Sequence, residues 1–168
     1  MYKQMIPGRT FYRAELGNRS KRLQGESRTP GMARRSHTEI LLTEYDARRL
    51  QRLIEEMEYS SDDVTGLRRE VERAHVVPPG SIRPDVITMN SRARLRDVES
   101  GEMMTYTLVF PEQAKFEEER ISVLAPIGTA MLGQKKGDEF SWEVPAGQIR
   151  LRVEEVLYQP EAAGHHHL

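Results

Sequence analysis

Residues 121–133 read Ile121-Ser122-Val123-Leu124-Ala125-Pro126-Ile127-Gly128-Thr129-Ala130-Met131-Leu132-Gly133. The run holds a strand, a helix start and a helix stop in that order. Residues 121–124 are apolar apart from Ser122 and read as a strand. Pro126 then opens a short helix through Met131, because the first helical position has no use for an N–H and suits the fixed φ of proline. Gly133 ends it, since glycine enters the left-handed region without a side-chain penalty. Downstream, Lys135-Lys136-Gly137-Asp138 is a tight turn into a strand at 139–144, with Phe140, Trp142 and Val144 on one face. Pro145-Ala146-Gly147 turns the chain into a closing strand at 149–158. Upstream, residues 102–110 are a strand with Tyr106, Leu108 and Phe110 on one face, and residues 112–120 are a charged loop. In 92–98 every second residue from Arg92 to Arg96 is arginine, so one face is solvated and the other apolar. A further strand is expected at 85–90, joined to it at Asn90-Ser91.

The period changes on the N-terminal side of Pro78-Pro79-Gly80 and Pro84, which mark a linker at 78–84 that cannot be helical. Ile40-Leu41-Leu42 is a short edge strand. Thr43 is a helix N-cap with the acidic Asp46 three residues on. Ala47, Leu50, Ile54 and Met57 form the apolar stripe of an amphipathic helix. A second stripe, Val64, Leu67, Val71 and Ala74, follows Tyr59-Ser60-Ser61; Ser60 or Ser61 is expected to cap it, with Asp62 and Asp63 at its positive end. Two such stripes and a short loop predict an antiparallel hairpin. Helices of some 14 residues reach about 20 Å at 1.5 Å per residue, and Gly66 weakens the second by roughly 1 kcal/mol. So short a hairpin leans on the next domain. The fold class is α+β: a short N-terminal helical hairpin, then a twisted β-rich domain with one small helix. The expected divisions are an extension at 1–36, strand plus hairpin at 37–77, linker at 78–84, sheet domain at 85–159 and tail at 160–168.

Mean hydropathy is −0.65 and the net charge −1, which suits a soluble domain with much solvated surface. That net charge conceals a division. Residues 1–35 hold nine Lys/Arg against Glu15 and Glu26, a balance of +7, whereas 36–168 hold 16 against 24 acids, a balance of −8. The extension has no sustained period and is broken by Gly8, Gly17, Gly25, Pro30 and Gly31, so it is expected to be disordered. Met32 is an alternative start. The acidic body is a poor general binder of nucleic acid, because phosphate repels it. No apolar run approaches the ~20 residues of a membrane span, and the chain has no cysteine for a disulfide or thiolate site.

Residues 121–133 with Lys136-Gly137-Asp138 resemble the segment that marks the FKBP-like C-terminal domain of the GreA/GreB transcription elongation factors. Asp85-Val86-Ile87-Thr88-Met89-Asn90-Ser91-Arg92 and Tyr158-Gln159-Pro160-Glu161-Ala162-Ala163-Gly164 look more specifically like the Rnk family, relatives of those factors. The resemblance covers roughly 37–164. It implies a cytoplasmic, monomeric regulator that docks at the rim of the secondary channel of RNA polymerase and affects nucleoside diphosphate kinase levels indirectly. It implies no direct sequence-specific DNA binding. The implied docking positions are Leu124, Ala125 and Pro126, with Ile127 adjacent; here an apolar Leu-Ala replaces the polar residues that precede the proline in Gre factors. The alternative is that Leu124 is a core residue and Pro126 merely starts a helix. Gre factors carry an Asp and a Glu three apart at the hairpin tip, which help to hold a catalytic magnesium ion. Glu58, Asp62 and Asp63 stand near this tip, yet Thr65 and Gly66 occupy the positions three beyond the Asp pair. The acids then read as helix caps on a solvated tip, and transcript cleavage is not expected.

No catalytic, cofactor or metal residues are assigned. His37 and His75 have no carboxylate at a ligand-like spacing. His165-His166-His167 is a weak metal binder or a simple tail. Lys135-Lys136-Gly137-Asp138 lacks the pattern of a phosphate loop. Fold alone suggests a competing reading, an FKBP-like peptidyl-prolyl isomerase, but fold is weak warrant for function. Such a site needs a concave aromatic pocket, and most aromatics of the sheet domain alternate as core residues should. A third reading, a nucleic-acid binder led by the basic extension, falls if translation starts at Met32.

Overall fold

The computed structural model describes residues 40–57, 64–144 and 147–165, with the backbone alone at 142–144. The expectations for residues 1–36, for the tip acids Glu58, Asp62 and Asp63, for Ser60 and Ser61, and for the Trp142 and Val144 side chains fall outside the described residues.

Thr43 caps the first helix as expected. The strand β1 (Leu41–Thr43) passes directly into α1 (Glu44–Met57), and the Thr43 hydroxyl oxygen accepts the Asp46 N–H at 3.0 Å. That bond satisfies one of the amides every helix start leaves free. Leu50 and Ile54 are buried, with Ala47, Leu53 and Met57 packed at the edge of the same core. The second helix is shorter than its stripe suggests. Helix α2 covers Thr65–Glu72, its N-cap is Val64, and no side chain caps it there. Val71 and Ala74 still pack on the core, but the chain leaves the helix to form β2 (His75–Val77), an element the stripe hides. β2 lies parallel to β1 in a two-stranded sheet, with Leu42 opposite Val76.

The main sheet has five strands in the order β5-β4-β3-β7-β6: β3 (Arg92–Asp97), β4 (Met103–Val109), β5 (Arg120–Ser122), β6 (Glu139–Val144) and β7 (Gly147–Tyr158). β4 and β5 are parallel, and the other neighbours are antiparallel. Its inner face carries Ala93, Leu95, Tyr106, Leu108, Phe140, Leu151 and Val153, all buried. On the outer face Arg92, Arg94, Arg96 and Arg150 meet Glu119, Glu155, Glu154 and Glu139 as exposed ion pairs. Such pairs contribute little stability each and are the solvated face the arginine alternation announces. Helix α3 (Pro126–Met131) lies against β5 and β6 with Pro126 in its first turn, and Gly133 follows at φ +73°.

The segment 85–90, expected as a strand, makes only an isolated bridge, Val86 to Lys135. The reason is local. Thr88 donates its N–H to the Ser91 hydroxyl at 3.0 Å and accepts the Ser91 N–H at 3.1 Å on its carbonyl. Asn90 sits at φ +61°, a conformation asparagine tolerates better than most residues. The charged loop after β4 is more ordered than expected, with two short 3-10 turns, Pro111–Gln113 and Phe116–Glu118. The linker likewise holds one at Pro79–Ser81.

The described residues belong to one compact unit. Ile40, Leu42, Leu50, Ile54, Val64 and Leu67 share a continuous core with the inner face of the sheet. The hairpin is therefore roofed onto the sheet and depends on it for burial of its stripe, since helices this short are marginal alone.

Candidate functional site

The loop between β5 and α3 is held by bonds from both ends. The Ser122 hydroxyl accepts the Leu124 N–H at 3.2 Å and the Ser122 carbonyl accepts the Ala125 N–H at 3.0 Å. From α3, the Thr129 hydroxyl donates to the Val123 carbonyl at 2.6 Å and the Thr129 N–H to the Ala125 carbonyl at 2.9 Å. Gly128 lets the helix come this near: a side chain there would lie 2.0 Å from the Ser122 carbonyl oxygen. The methyl of Thr129 in turn faces Gly66 of α2, where a side chain would meet it at 3.9 Å.

This geometry divides the four expected docking residues. Pro126 is exposed at the first turn of α3, while Leu124 and Ala125 are half-buried with one side on the core. Ile127 is a core residue, 8% exposed, and offers no surface to a partner. The strand-end reading of Leu124 and the surface reading are thus both part of the same side chain's environment. The hairpin that would carry the tip is built from α1 of 14 residues and α2 of 8.

A second cluster escaped the sequence reading. Asp46, 2% exposed, does not turn back on its own helix start; its Oδ2 accepts the Met89 N–H at 3.1 Å. Burial pushes its carboxyl up to about 6, and the nearby Glu161 charge acts in the same direction, against the Met89 N–H, Arg49 and Thr43. The Arg49 guanidinium is itself stacked 4.0 Å over the Phe110 ring and 5.2 Å from that of Tyr45, an attraction of positive charge to the ring faces. The tail is part of this cluster. Gln159 donates its amide to the Arg83 and Val86 carbonyls at 2.7 and 2.8 Å, and Glu161 accepts the Thr88 hydroxyl at 2.8 Å. The only sequence signal for this was that two separated stretches, 85–92 and 158–164, carried the Rnk resemblance together; they touch each other.

Other chemistry is sparse. Among the described residues no group of three or more His, Asp or Glu side chains could hold a metal ion, and no helix is long and apolar enough to cross a membrane. His165 Nδ1 is 2.8 Å from the Tyr158 hydroxyl, and His75 lies on β2. Tyr106, Phe110 and Phe140 are spent in the core, so they line no isomerase-like pocket. A shallow open depression on α1 beside β2 is lined by Glu44, Ala47, Arg48, Gln51 and Val76, with no aromatic.

Comparison with known proteins divides the chain as the period does. The family described as the Rnk N-terminus matches residues 38–77, and that of the transcription elongation factor GreA/GreB C-terminal part matches 82–158. The regulator of nucleoside diphosphate kinase of Escherichia coli (strain K12) is 39% identical over 131 residues, which cover 77% of this chain and 96% of that protein. A transcription elongation factor GreA of Syntrophomonas wolfei is 32% identical over 90 residues, 54% of this chain and 57% of its own. A solved structure of a prokaryotic transcription elongation factor GreA/GreB from Nitrosomonas europaea is 41% identical with a TM-score of 0.62, covering 71% of this chain and 100% of that one.

Proposed function

Because the chain belongs to the family of regulators of nucleoside diphosphate kinase, with an Rnk N-terminal part joined to a GreA/GreB C-terminal part, we propose that it regulates transcription by binding RNA polymerase at the secondary channel rim. Leu124, Ala125 and Pro126 make the contact. The protein acts as a cytoplasmic monomer, without sequence-specific DNA contact and without stimulating transcript cleavage. Its effect on nucleoside diphosphate kinase levels is indirect.

The observation that carries this reading is the fixed loop at 122–126. Four hydrogen bonds and the close approach at Gly128 hold it before any partner arrives. A preorganised contact loses less conformational entropy on binding, so more of its gross interaction appears as affinity. The loop also presents an exposed proline beside two half-buried apolar residues, a small patch of the kind that concentrates interface energy. The hairpin roofed on the same domain is short, so whatever it inserts into the channel reaches less far than a long coiled coil.

A pull-down with core RNA polymerase, repeated with a GreA-type factor as competitor, tests the reading. Retention on the polymerase that the competitor displaces is the expected result. Failure to bind core polymerase, or binding that an excess of competitor leaves intact, would overturn the rim as its site.

A further inference from the structure

Two carboxylates far apart in the chain converge on adjacent residues, Thr88 and Met89. Asp46, in the first turn of α1, takes the N–H of Met89. Glu161, beyond the last strand, takes the hydroxyl of Thr88. Thr88 is wholly buried, and its groups form an ordered relay: its N–H goes to the Ser91 hydroxyl, which lies 2.9 Å from the Thr88 hydroxyl, which donates to Glu161. Without Glu161 the last donor of that relay would be stranded in the core, and a buried unpaired hydroxyl is costly.

Residues 159–165 are built to deliver Glu161. Gln159, 3% exposed, bridges the Arg83 and Val86 carbonyls with one amide group. The chain then closes on itself, the Ala163 N–H on the Gln159 carbonyl and the His165 N–H on the Pro160 carbonyl at 2.8 Å, with Gly164 at φ +75°. The segment read as a tail is a folded turn pinned at two points to residues 83–88, and those residues are in turn pinned to α1.

The groups that face Asp46 decide how this junction responds to charge. β1 contributes only Thr43, and 86–91 contains no ionisable side chain. Among the described residues, the cation that acts on it is Arg49, on α1 itself and stacked on Phe110 and Tyr45. Among the same residues, the further anion is Glu161, from the turn. We propose that residues 159–165 are a clasp locking α1 to the sheet domain, closed while Asp46 is protonated and loosened when Asp46 and Glu161 are both charged. A protonated Asp46 keeps an oxygen for the Met89 N–H and no longer repels Glu161. Burial, and then that repulsion, raise Asp46 from 3.8 to about 6, which sets the transition between mildly acidic and neutral conditions. This inference concerns the free chain and stands apart from the identity of its partner.

The test is the Met89 amide resonance of the uniformly 15N-labelled full chain, followed from about pH 4.5 to 8. One titration step with a midpoint near 6 is expected. Glu161→Gln should move that midpoint down by removing the repulsion, and Asp46→Asn should abolish the step. Exchange of the Met89 amide, corrected for its intrinsic pH dependence, should be about tenfold or more faster above the step than below it, since opening exposes it to solvent. A wild-type resonance that stays constant over the range would overturn the proposal, and that measurement needs no variant to fold. A step that persists in Asp46→Asn would also overturn it, as would a step with unchanged exchange protection.

Discussion

Gly133 and Ile40 occupy one space: a side chain added at Gly133 would come within 2.1 Å of the Ile40 Cγ2. Ile40 is itself 1% exposed, and its carbonyl accepts the His75 N–H at 2.7 Å, which starts the β1–β2 pair. Gly133 donates its own N–H to the Ile87 carbonyl at 2.9 Å. The end of α3, the start of the helical part and the 85–91 segment therefore meet at a point where only glycine fits. The residue that stops the helix also seats the hairpin on the sheet.

Gly133→Ala should consequently be among the more damaging single-methyl changes. The left-handed φ costs a non-glycine residue about 1–2 kcal/mol, and overpacking against Ile40 adds roughly 1–3 kcal/mol. Gly101 is the internal control, because it has a similar φ of +74° with nothing within 4 Å. Urea unfolding of both variants separates the two contributions. Equal losses for Gly133→Ala and Gly101→Ala would show that Ile40 yields and that the seat is soft.

Asp46→Asn should stabilise the protein at pH 8. Its folded-state value is raised, from 3.8 to about 6, so its favourable contribution is complete below about 3.8 and is lost as pH rises through about 6. At pH 8 the ionised carboxylate sits buried at a disadvantage of up to about 3 kcal/mol, at 1.36 kcal/mol per unit. Asparagine keeps an acceptor for the Met89 N–H and carries no charge, so a gain of about 1–2 kcal/mol is expected, less the small helix-dipole term of an acid in the first turn. Thermal midpoints of wild type and variant should diverge from pH 5 to 8 and meet near pH 4. A variant less stable than wild type at pH 8 would mean that the charge-assisted bond to Met89 outweighs burial.

How far the fold can be read in advance depends on whether a residue's job is local. Thr43, the α1 stripe, Pro126, Gly133 and the Lys135 to Asp138 turn announce themselves because caps, periods and turn residues act over three or four positions. The turn reading of Gly137 holds for the same reason, with φ at +90°. β2 is hidden because Val71 and Ala74 continue the helical stripe right up to His75. The 85–90 segment has strand composition, yet the hydroxyl of Ser91, three residues beyond Thr88, diverts the Thr88 N–H from any ladder. At the candidate site, the sequence gives the loop but not which of its side chains face outward, so Ile127 is placed beside the contact when the first turn of α3 rotates it into the core. Asp46 is legible as a first-turn acid and illegible as a tertiary one, because its partner Met89 lies 43 residues along the chain.

The purified protein should not stimulate RNA cleavage in backtracked polymerase complexes. The resemblance assigns that chemistry to two acids three residues apart, and the positions three beyond Asp62 and Asp63 are Thr65 and Gly66. Reach argues the same way: α1, at 14 residues, spans about 21 Å, and α2 is shorter still. Release of short 3′ RNA fragments in proportion to added protein would refute the expectation. Glu58→Ala and Asp62→Ala would then show whether the tip supplies the ligands.

Ala125→Asp should weaken polymerase binding by about tenfold or more, equivalent to about 1.4 kcal/mol, while leaving the domain folded. Ala125 is the N-cap of α3, at φ −69° and ψ 144°, and no side chain caps that helix. Aspartate is among the preferred residues at such a position, since its oxygen accepts a free amide of the first turn. The substitution therefore suits the local structure, and circular dichroism should show no loss of fold. On the surface it does the opposite, setting a charge beside Leu124 and Pro126 where a partner would have to desolvate it without an opposite charge to meet it. Asp63→Ala, at the position expected for the hairpin tip, is the control, and its affinity should stay close to wild type if the loop makes the proposed rim contact. Fluorescence anisotropy of each labelled variant, titrated with core polymerase, measures both. A folded Ala125→Asp protein that binds as tightly as wild type would remove residues 124–126 from the interface.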